Sequence, residues 1–129
     1  MTKVVILCGG MGTRLREETE YKPKPLVEIG GKPILWHIMN HYAHYGFNEF
    51  ILCLGYKGEM IKNYFLNYET QTNNVTISLK TGAITLHDSM TEDWHVTCVD
   101  TGEESLTGKR LKSIQPFIEE DDFFVTYGD

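Results

Sequence analysis

Apolar residues in this chain come in short blocks whose spacing switches between two periods. Val4-Val5-Ile6-Leu7-Cys8 is continuous and β-branched, which predicts a buried strand. Ile34 to Tyr45 repeats Ile34, Ile38, Tyr42 and Tyr45 at helical spacing, with Pro33 before it and Gly46 after it, and predicts a helix. Glu49 to Tyr56 reads as a second buried strand, and Gly58 to Leu66 as a short amphipathic helix. Strand, helix, strand and helix in alternation predict parallel βαβ units with right-handed crossovers.

The pattern is weaker in the middle. Asn63 to Asn74, rich in Asn, Thr and Tyr, predicts a helix end running into a loop. Val75 to Leu79 alternates, Lys80-Thr81-Gly82-Ala83 turns, and Ile84 to His87 returns as a hairpin. Asp88 to Asp93 is a polar connection, Trp94 to Asp100 another strand, and Thr101 to Thr107 a polar loop. Thr107 is placed to cap a helix from Gly108 to about Ile118. Phe123 to Tyr127 predicts a last buried strand, which delivers Gly128-Asp129. No repeat or low-complexity tract divides the chain, and 129 residues suit one domain.

The candidate chemistry follows the first strand. Gly9-Gly10-Met11-Gly12-Thr13-Arg14 combines three glycines with a cation. Glycines let a ligand approach the backbone, and successive free N–H groups form an anion-binding concavity. Arg14 adds a planar, permanent charge. Lys24, held between Pro23 and Pro25, is expected on a stiff, extended segment. Together these point to a polyphosphate site. Two commoner phosphate loops are excluded: Leu15 stands where a dinucleotide fingerprint needs its third glycine, and no G-K-[ST] ends a P-loop.

The motifs G-G-x-G-T-R-L (Gly9 to Leu15), P-K-P-L (Pro23 to Leu26) and G-K-P (Gly31 to Pro33) resemble the signature of sugar-nucleotide pyrophosphorylases. Ile34 to Met39, Leu54 to Gly58, Val99 to Gly102, Thr107 to Leu111 and Thr126 to Asp129 narrow the resemblance to the glucose-1-phosphate cytidylyltransferase family. Two residues depart from its pattern: Cys8 stands where alanine is usual, and Lys109 where a second glycine is usual. The resemblance implies an α/β fold, an open, mostly parallel Rossmann-like sheet with helices on both faces. It implies that residues 1–129 are the nucleotide-binding part of a nucleotidyltransferase domain, with the sugar-binding half absent and the isolated chain inactive.

The implied reaction is CTP plus α-D-glucose 1-phosphate giving CDP-glucose and diphosphate, in nucleotide-sugar biosynthesis of the kind that serves lipopolysaccharide O-antigen. Arg14 and Lys24 are the expected catalytic groups. The nucleotide is expected on Leu7, Gly9, Gly10, Met11, Gly12, Thr13, Arg14, Lys24, Ser105 and Arg110. Arg110 on its own reads equally as a surface helix residue. Ligands of open α/β sheets bind beyond the carboxyl ends of the strands, so Asp129 suits a Mg²⁺ ion there, or a cap or turn without one. Transferases of UTP, dTTP or GTP, and a nucleotide-binding module without turnover, stay open beside the cytidylyl reading.

Composition and charge narrow the partners. The formal charge of −6 is uneven: residues 1–32 hold six basic against four acidic residues, and the remainder six against fourteen. An acidic chain with one basic rim offers no stripe for nucleic acid and suits a small anionic ligand. No apolar run reaches membrane-spanning length, no leader is read at Met1-Thr2-Lys3, and three cysteines in apolar runs fit a reducing compartment, so a cytoplasmic location is expected. The resemblance adds a homo-oligomer at full length. His37, His41 and His44 on one helix, and Glu119-Glu120-Asp121-Asp122, admit metal binding but read first as a helix flank and a solvated turn.

Overall fold

The computed structural model describes residues 2–9, 22–87, 91–102, 107–118 and 122–128. Its centre is a four-stranded sheet of β1 (Lys3–Leu7), β4 (Glu49–Leu54), β7 (His95–Asp100) and β8 (Phe123–Tyr127) in the order β7-β4-β1-β8, every pair parallel. The first three strands run outward from β1, and β8 returns to its other side. That reversal places a topological switch point between β1 and β8.

Alternation along β1 divides the core in two. Val4, Ile6 and Cys8 face α1 (Ile34–His44) and α2 (Gly58–Leu66) through Leu35, Met39 and Ile61. Val5 and Leu7 face the opposite way, onto Leu111, Ile114 and Ile118 of the segment carrying α4 (Thr107–Ser113) and α5 (Gln115–Ile118). Helices therefore cover both faces, as expected for a doubly wound sheet. Right-handed crossovers require it, because the chain reverses direction across the sheet after β7.

Most predicted elements appear at or near their expected bounds. α1 stops at Tyr45, where Gly46 takes φ of 93°. The hairpin forms as β5 (Asn74–Ile77) with β6 (Ile84–His87), and Gly82 (φ 77°) closes its turn by donating to Ser78 O at 2.7 Å.

Five expectations need correction. Lys24 is not extended: Lys24–Leu26 makes one 3-10 turn, because Leu26 donates to Pro23 O and Val27 to Lys24 O, overriding the pre-proline bias. Residues 68–72 form a further short helix, α3 (Tyr68–Thr72), after a break at Asn67. The helix expected to run from Gly108 to Ile118 starts one residue earlier and breaks at Ile114, since Pro116 has no N–H to give. Gly30 and Gly31, both at positive φ, fold β2 (Glu28–Ile29) onto β3 (Lys32–Pro33), a ribbon the apolar pattern does not announce.

The fifth concerns β8. It pairs only with β1 among the described strands, and Val125 and Tyr127 are 42% and 61% exposed. Among the described strands it is the sheet's edge, and its side chains are more exposed than the apolar run predicts. The histidines of α1 take surface contacts: His37 Nε2 lies 2.7 Å from Ile29 O, and His41 and His44 meet the Tyr45 ring edge-on. Among the described residues no three His, Cys, Asp or Glu groups are placed to share a metal. Glu119, Glu120 and Asp121 lie outside them.

Candidate nucleotide site

The chain leaves β1 under restraint from both sides. Cys8 N donates to Cys53 O of β4 at 2.9 Å, and Gly128 N donates to Leu7 O at 3.0 Å. Leu7 and Cys8 are buried, and the Cys8 thiol lies 3.6 Å from Ile6 O. Gly9 and the residue after β8 thus emerge side by side at the switch point. Sequence segments more than a hundred residues apart meet there because both strands are parallel and adjacent.

Two glycines are required by what touches them. A Cβ on Gly9 would overlap the guanidinium of Arg110, so the arginine lies directly on the Gly9 backbone. A Cβ on Gly128 would come within 3.0 Å of Cys8 Sγ, 3.3 Å of Ile6 Cγ2 and 3.4 Å of Pro25 Cγ. The Pro-Lys-Pro turn is therefore packed against the ends of β1 and β8. Lys24 is half-buried beside Pro25 in that turn. The small Cys8 side chain, a departure from the alanine usual in the resembled pattern, fills the contact with Gly128.

Arg110 also acts on β4. Burial pushes the Cys53 thiol up to about 11, an effect the Arg110 cation partly opposes. The guanidinium thus lies against Gly9 and near enough to β4 for its charge to act at Cys53, while Leu111 of its helix packs on the second core. Arg110 is half-buried with its guanidinium on the Gly9 backbone, and is not a solvent-facing helix residue. Leu7, Gly9, Lys24 and Arg110 gather at the carboxyl end of the sheet. Gly10, Met11, Gly12, Thr13, Arg14, Ser105 and Asp129 lie outside the described residues.

One participant escapes sequence reasoning. Thr101 is 6% exposed, and both its N–H (2.9 Å) and its hydroxyl (3.1 Å) donate to Leu54 O. Its only sequence signal is its place in V-D-T-G. A groove of about 580 Å³ lies elsewhere, between α2, α3 and β7, and is lined by Phe65, Trp94 and Val96. Beside it Trp36 Nε1 donates to Tyr68 Oη at 3.0 Å, and burial, then Glu92, raises the Tyr68 pKa. Volume alone does not mark the site; the convergence of motifs does.

Residues 3–122 match the nucleotidyl transferase family model. The chain belongs to the nucleotidyl transferase family. Within it, the glucose-1-phosphate cytidylyltransferase of Salmonella typhimurium is 53% identical over 128 residues, which cover 98% of this chain and 50% of that protein. The probable glucose-1-phosphate cytidylyltransferase of Bacillus subtilis is 52% identical over 127 residues, again 98% of this chain and 50% of that one. Among solved structures, HddC of Yersinia pseudotuberculosis in complex with GMP-PN superposes with a TM-score of 0.69 at 30% identity, covering all of this nucleotidyl transferase chain and 48% of HddC. The chain spans about half the length of the curated relatives it matches.

Proposed function

We propose that this chain is the nucleotide-binding part of a glucose-1-phosphate cytidylyltransferase, which joins CTP and α-D-glucose 1-phosphate into CDP-glucose and releases diphosphate. The observation that carries this reading is the seating of Arg110 on Gly9 at the switch point, next to the turn that holds Lys24. The likeness to two cytidylyltransferases at 53% and 52% identity supports cytidine over other bases.

The chemistry asks for no general base. A sugar phosphate has a second pKa of about 6 and is already a nucleophile at neutral pH. What the site supplies is charge neutralisation and in-line alignment at the α-phosphorus. Arg14 and the amides of Gly9, Gly10, Met11, Gly12 and Thr13 take the leaving β- and γ-phosphates. Lys24 neutralises the α-phosphate, and Ser105 and Arg110 reach the cytidine. A Mg²⁺ ion suits the donor set, because Gly128 holds the end of β8 against β1 and the next residue, Asp129, brings a hard carboxylate oxygen. When bound, that ion offsets phosphate charge.

A homo-oligomer at full length is part of the same reading, supported by Leu79, 93% exposed at the β5–β6 hairpin. Sedimentation of the full-length protein checks it, and a monomer at all concentrations removes that part. A cytoplasmic location belongs to the reading too. It is supported by three cysteines of which none is in a disulfide, and among the described residues no helix is long and apolar enough to cross a membrane.

The central test replaces the aligned half of the Salmonella typhimurium enzyme with this chain and follows diphosphate release from four nucleotides with glucose 1-phosphate. Preference for CTP supports the proposal. Preference for UTP, dTTP or GTP moves the chain to another transferase. Nucleotide binding without release in an otherwise folded chimera assigns a binding module instead.

A further inference from the structure

β1 and β8 run side by side toward the switch point, with Ile6 opposite Thr126 and Leu7 opposite Tyr127. One step further, Cys8 stands beside Gly128, which donates its N–H to Leu7 O at 3.0 Å. That bond lies in the plane of the sheet and fixes Gly128 along β1. How far Gly128 stands out of the plane is left to side-chain contact.

Cys8 supplies that contact. It is 1% exposed and faces the same side as Val4 and Ile6. A Cβ at 128 would meet Cys8 Sγ at 3.0 Å, Ile6 Cγ2 at 3.3 Å and Pro25 Cγ at 3.4 Å. The last two are relieved by shifts of a few tenths of an ångström, whereas the sulfur fills the space outright. Gly128 is not among the glycines at positive φ, so its bare Cα answers to space and not to backbone conformation. One small volume is therefore shared by the ends of β1 and β8 and by the Pro-Lys-Pro turn.

Each wall of that volume has a site residue next to it in sequence: Gly9 after Cys8, Lys24 before Pro25, and Asp129 after Gly128. Interiors are close-packed, so a change of one heavy atom moves the wall that is least tied. Cys8 is tied by its N–H to Cys53 O at 2.9 Å, and Pro25 is buried in a turn closed by Leu26 N on Pro23 O at 2.9 Å. Gly128 ends the outermost described strand and is the wall that gives.

We propose that Cys8 is a positioning residue for nucleotide binding: its side-chain size, matched to glycine at 128, sets how closely the end of β8 approaches the turn that carries Lys24. The inference rests on the reading that this end of the sheet holds the nucleotide, and deepens it by naming what spaces the walls. Alanine is usual at 8 in the resembled pattern, so this chain places one more heavy atom at that point.

The test is a double-mutant cycle in the full-length protein, with Cys8→Ala, Gly128→Ala and the two combined. Cys8→Ser conserves the size, and Cys98→Ala removes a thiol from β7, away from the switch point. Thermal midpoint and CTP affinity by calorimetric titration are measured for each. Gly128→Ala should lower the midpoint by at least about 5 °C and weaken CTP binding about fivefold. Cys8→Ala alone should weaken binding about threefold, and the combination should return to about the parent's affinity, because the new methyl takes the space the sulfur left. Cys8→Ser should bind as the parent does. Cys98→Ala should lower the midpoint by a few °C and leave CTP affinity unchanged.

Additive losses in the combined variant overturn the proposal, since the two positions then share no volume. Recovery of the midpoint without recovery of CTP affinity overturns it too, because the pair is then a packing feature alone. A serine variant as weak as the alanine one overturns it by making thiol chemistry count instead of size. Should Gly128→Ala fail to fold, the combined variant decides: folded with near-parent affinity supports the proposal, and unfolded overturns it. A parent protein that binds no CTP defeats the functional reading and the proposal with it, before any variant is compared.

Discussion

β1 and β8 are neighbours, parallel, and nearly equal in apolar content, yet they live in different environments. Val4, Val5 and Ile6 are fully buried, whereas Phe123, Phe124, Val125 and Tyr127 are all among the exposed apolar residues. β1 has a strand on each side and helices above and below. Among the described residues β8 has a strand on one side, and the Tyr42 and Phe47 rings meet Phe124. Hydrophobicity made both into strands; the number of neighbours decided which is core. The site nevertheless needs both, since Gly9 follows one and Gly128 the other.

The widest separation between the two strands should appear in stability. Ile6→Ala removes a buried side chain flanked on all sides and should cost about 2–5 kcal/mol. Val125→Ala on the edge should cost less than about 1 kcal/mol. Urea unfolding of the two variants measures the gap, and equal midpoints would mean that β8 is covered in solution.

At the shared end of the strands the effect should move from stability to chemistry. Lys24→Ala in the chimera with the Salmonella enzyme should lower turnover about 10²–10³-fold, as expected for loss of a cation acting on charge that develops in the transition state. The folding midpoint should barely change, because Lys24 is half-buried in a turn held by its own backbone bonds. Steady-state kinetics with CTP and glucose 1-phosphate test this, and near-normal turnover removes Lys24 from the catalytic set.

Gly9→Ala is a finer probe of the same end. Its methyl overlaps the tip of a long side chain, so Arg110 can swing away at small cost to folding. CTP affinity should drop about tenfold while the unfolding free energy stays within about 1 kcal/mol. Gly128→Ala meets Cys8 Sγ and Pro25, which cannot swing, and should reverse the balance toward lost stability. Paired titration and urea unfolding separate the two.

The smallest effect concerns pH. Burial raises the thiol pKa of Cys53 and of Cys98, that of Cys53 from 9.0 to about 11. A neutral thiol whose folded pKa lies above its unfolded value favours the folded state fully below pH 9, and the contribution fades as pH rises from about 9 to about 11. Stability should therefore decline through that alkaline window, with Cys53 slow to alkylate at pH 8 until the protein unfolds. Rapid alkylation of Cys53 in folded protein would show that β4 is less protected than β1.

The sequence by itself determined the local elements and the identity of most candidate groups. β-branched runs specified β1, β4 and β7, helical spacing specified α1 and α2, and Gly82 marked the hairpin turn. The motif residues Gly9, Lys24 and Arg110 were legible because phosphate and base chemistry demands glycine and cations in recognisable company. Strand order was not legible, since parallel neighbours are chosen by long-range packing and crossover handedness and not by composition. That order made Gly9 and Gly128 adjacent. Arg110 reads as either a surface or a site residue in one dimension, and only the folded chain places its guanidinium against the Gly9 backbone. Thr101 stands in the V-D-T-G motif, but the bond from its hydroxyl to the Leu54 carbonyl, at 3.1 Å, exists only once folding brings the two strand ends together.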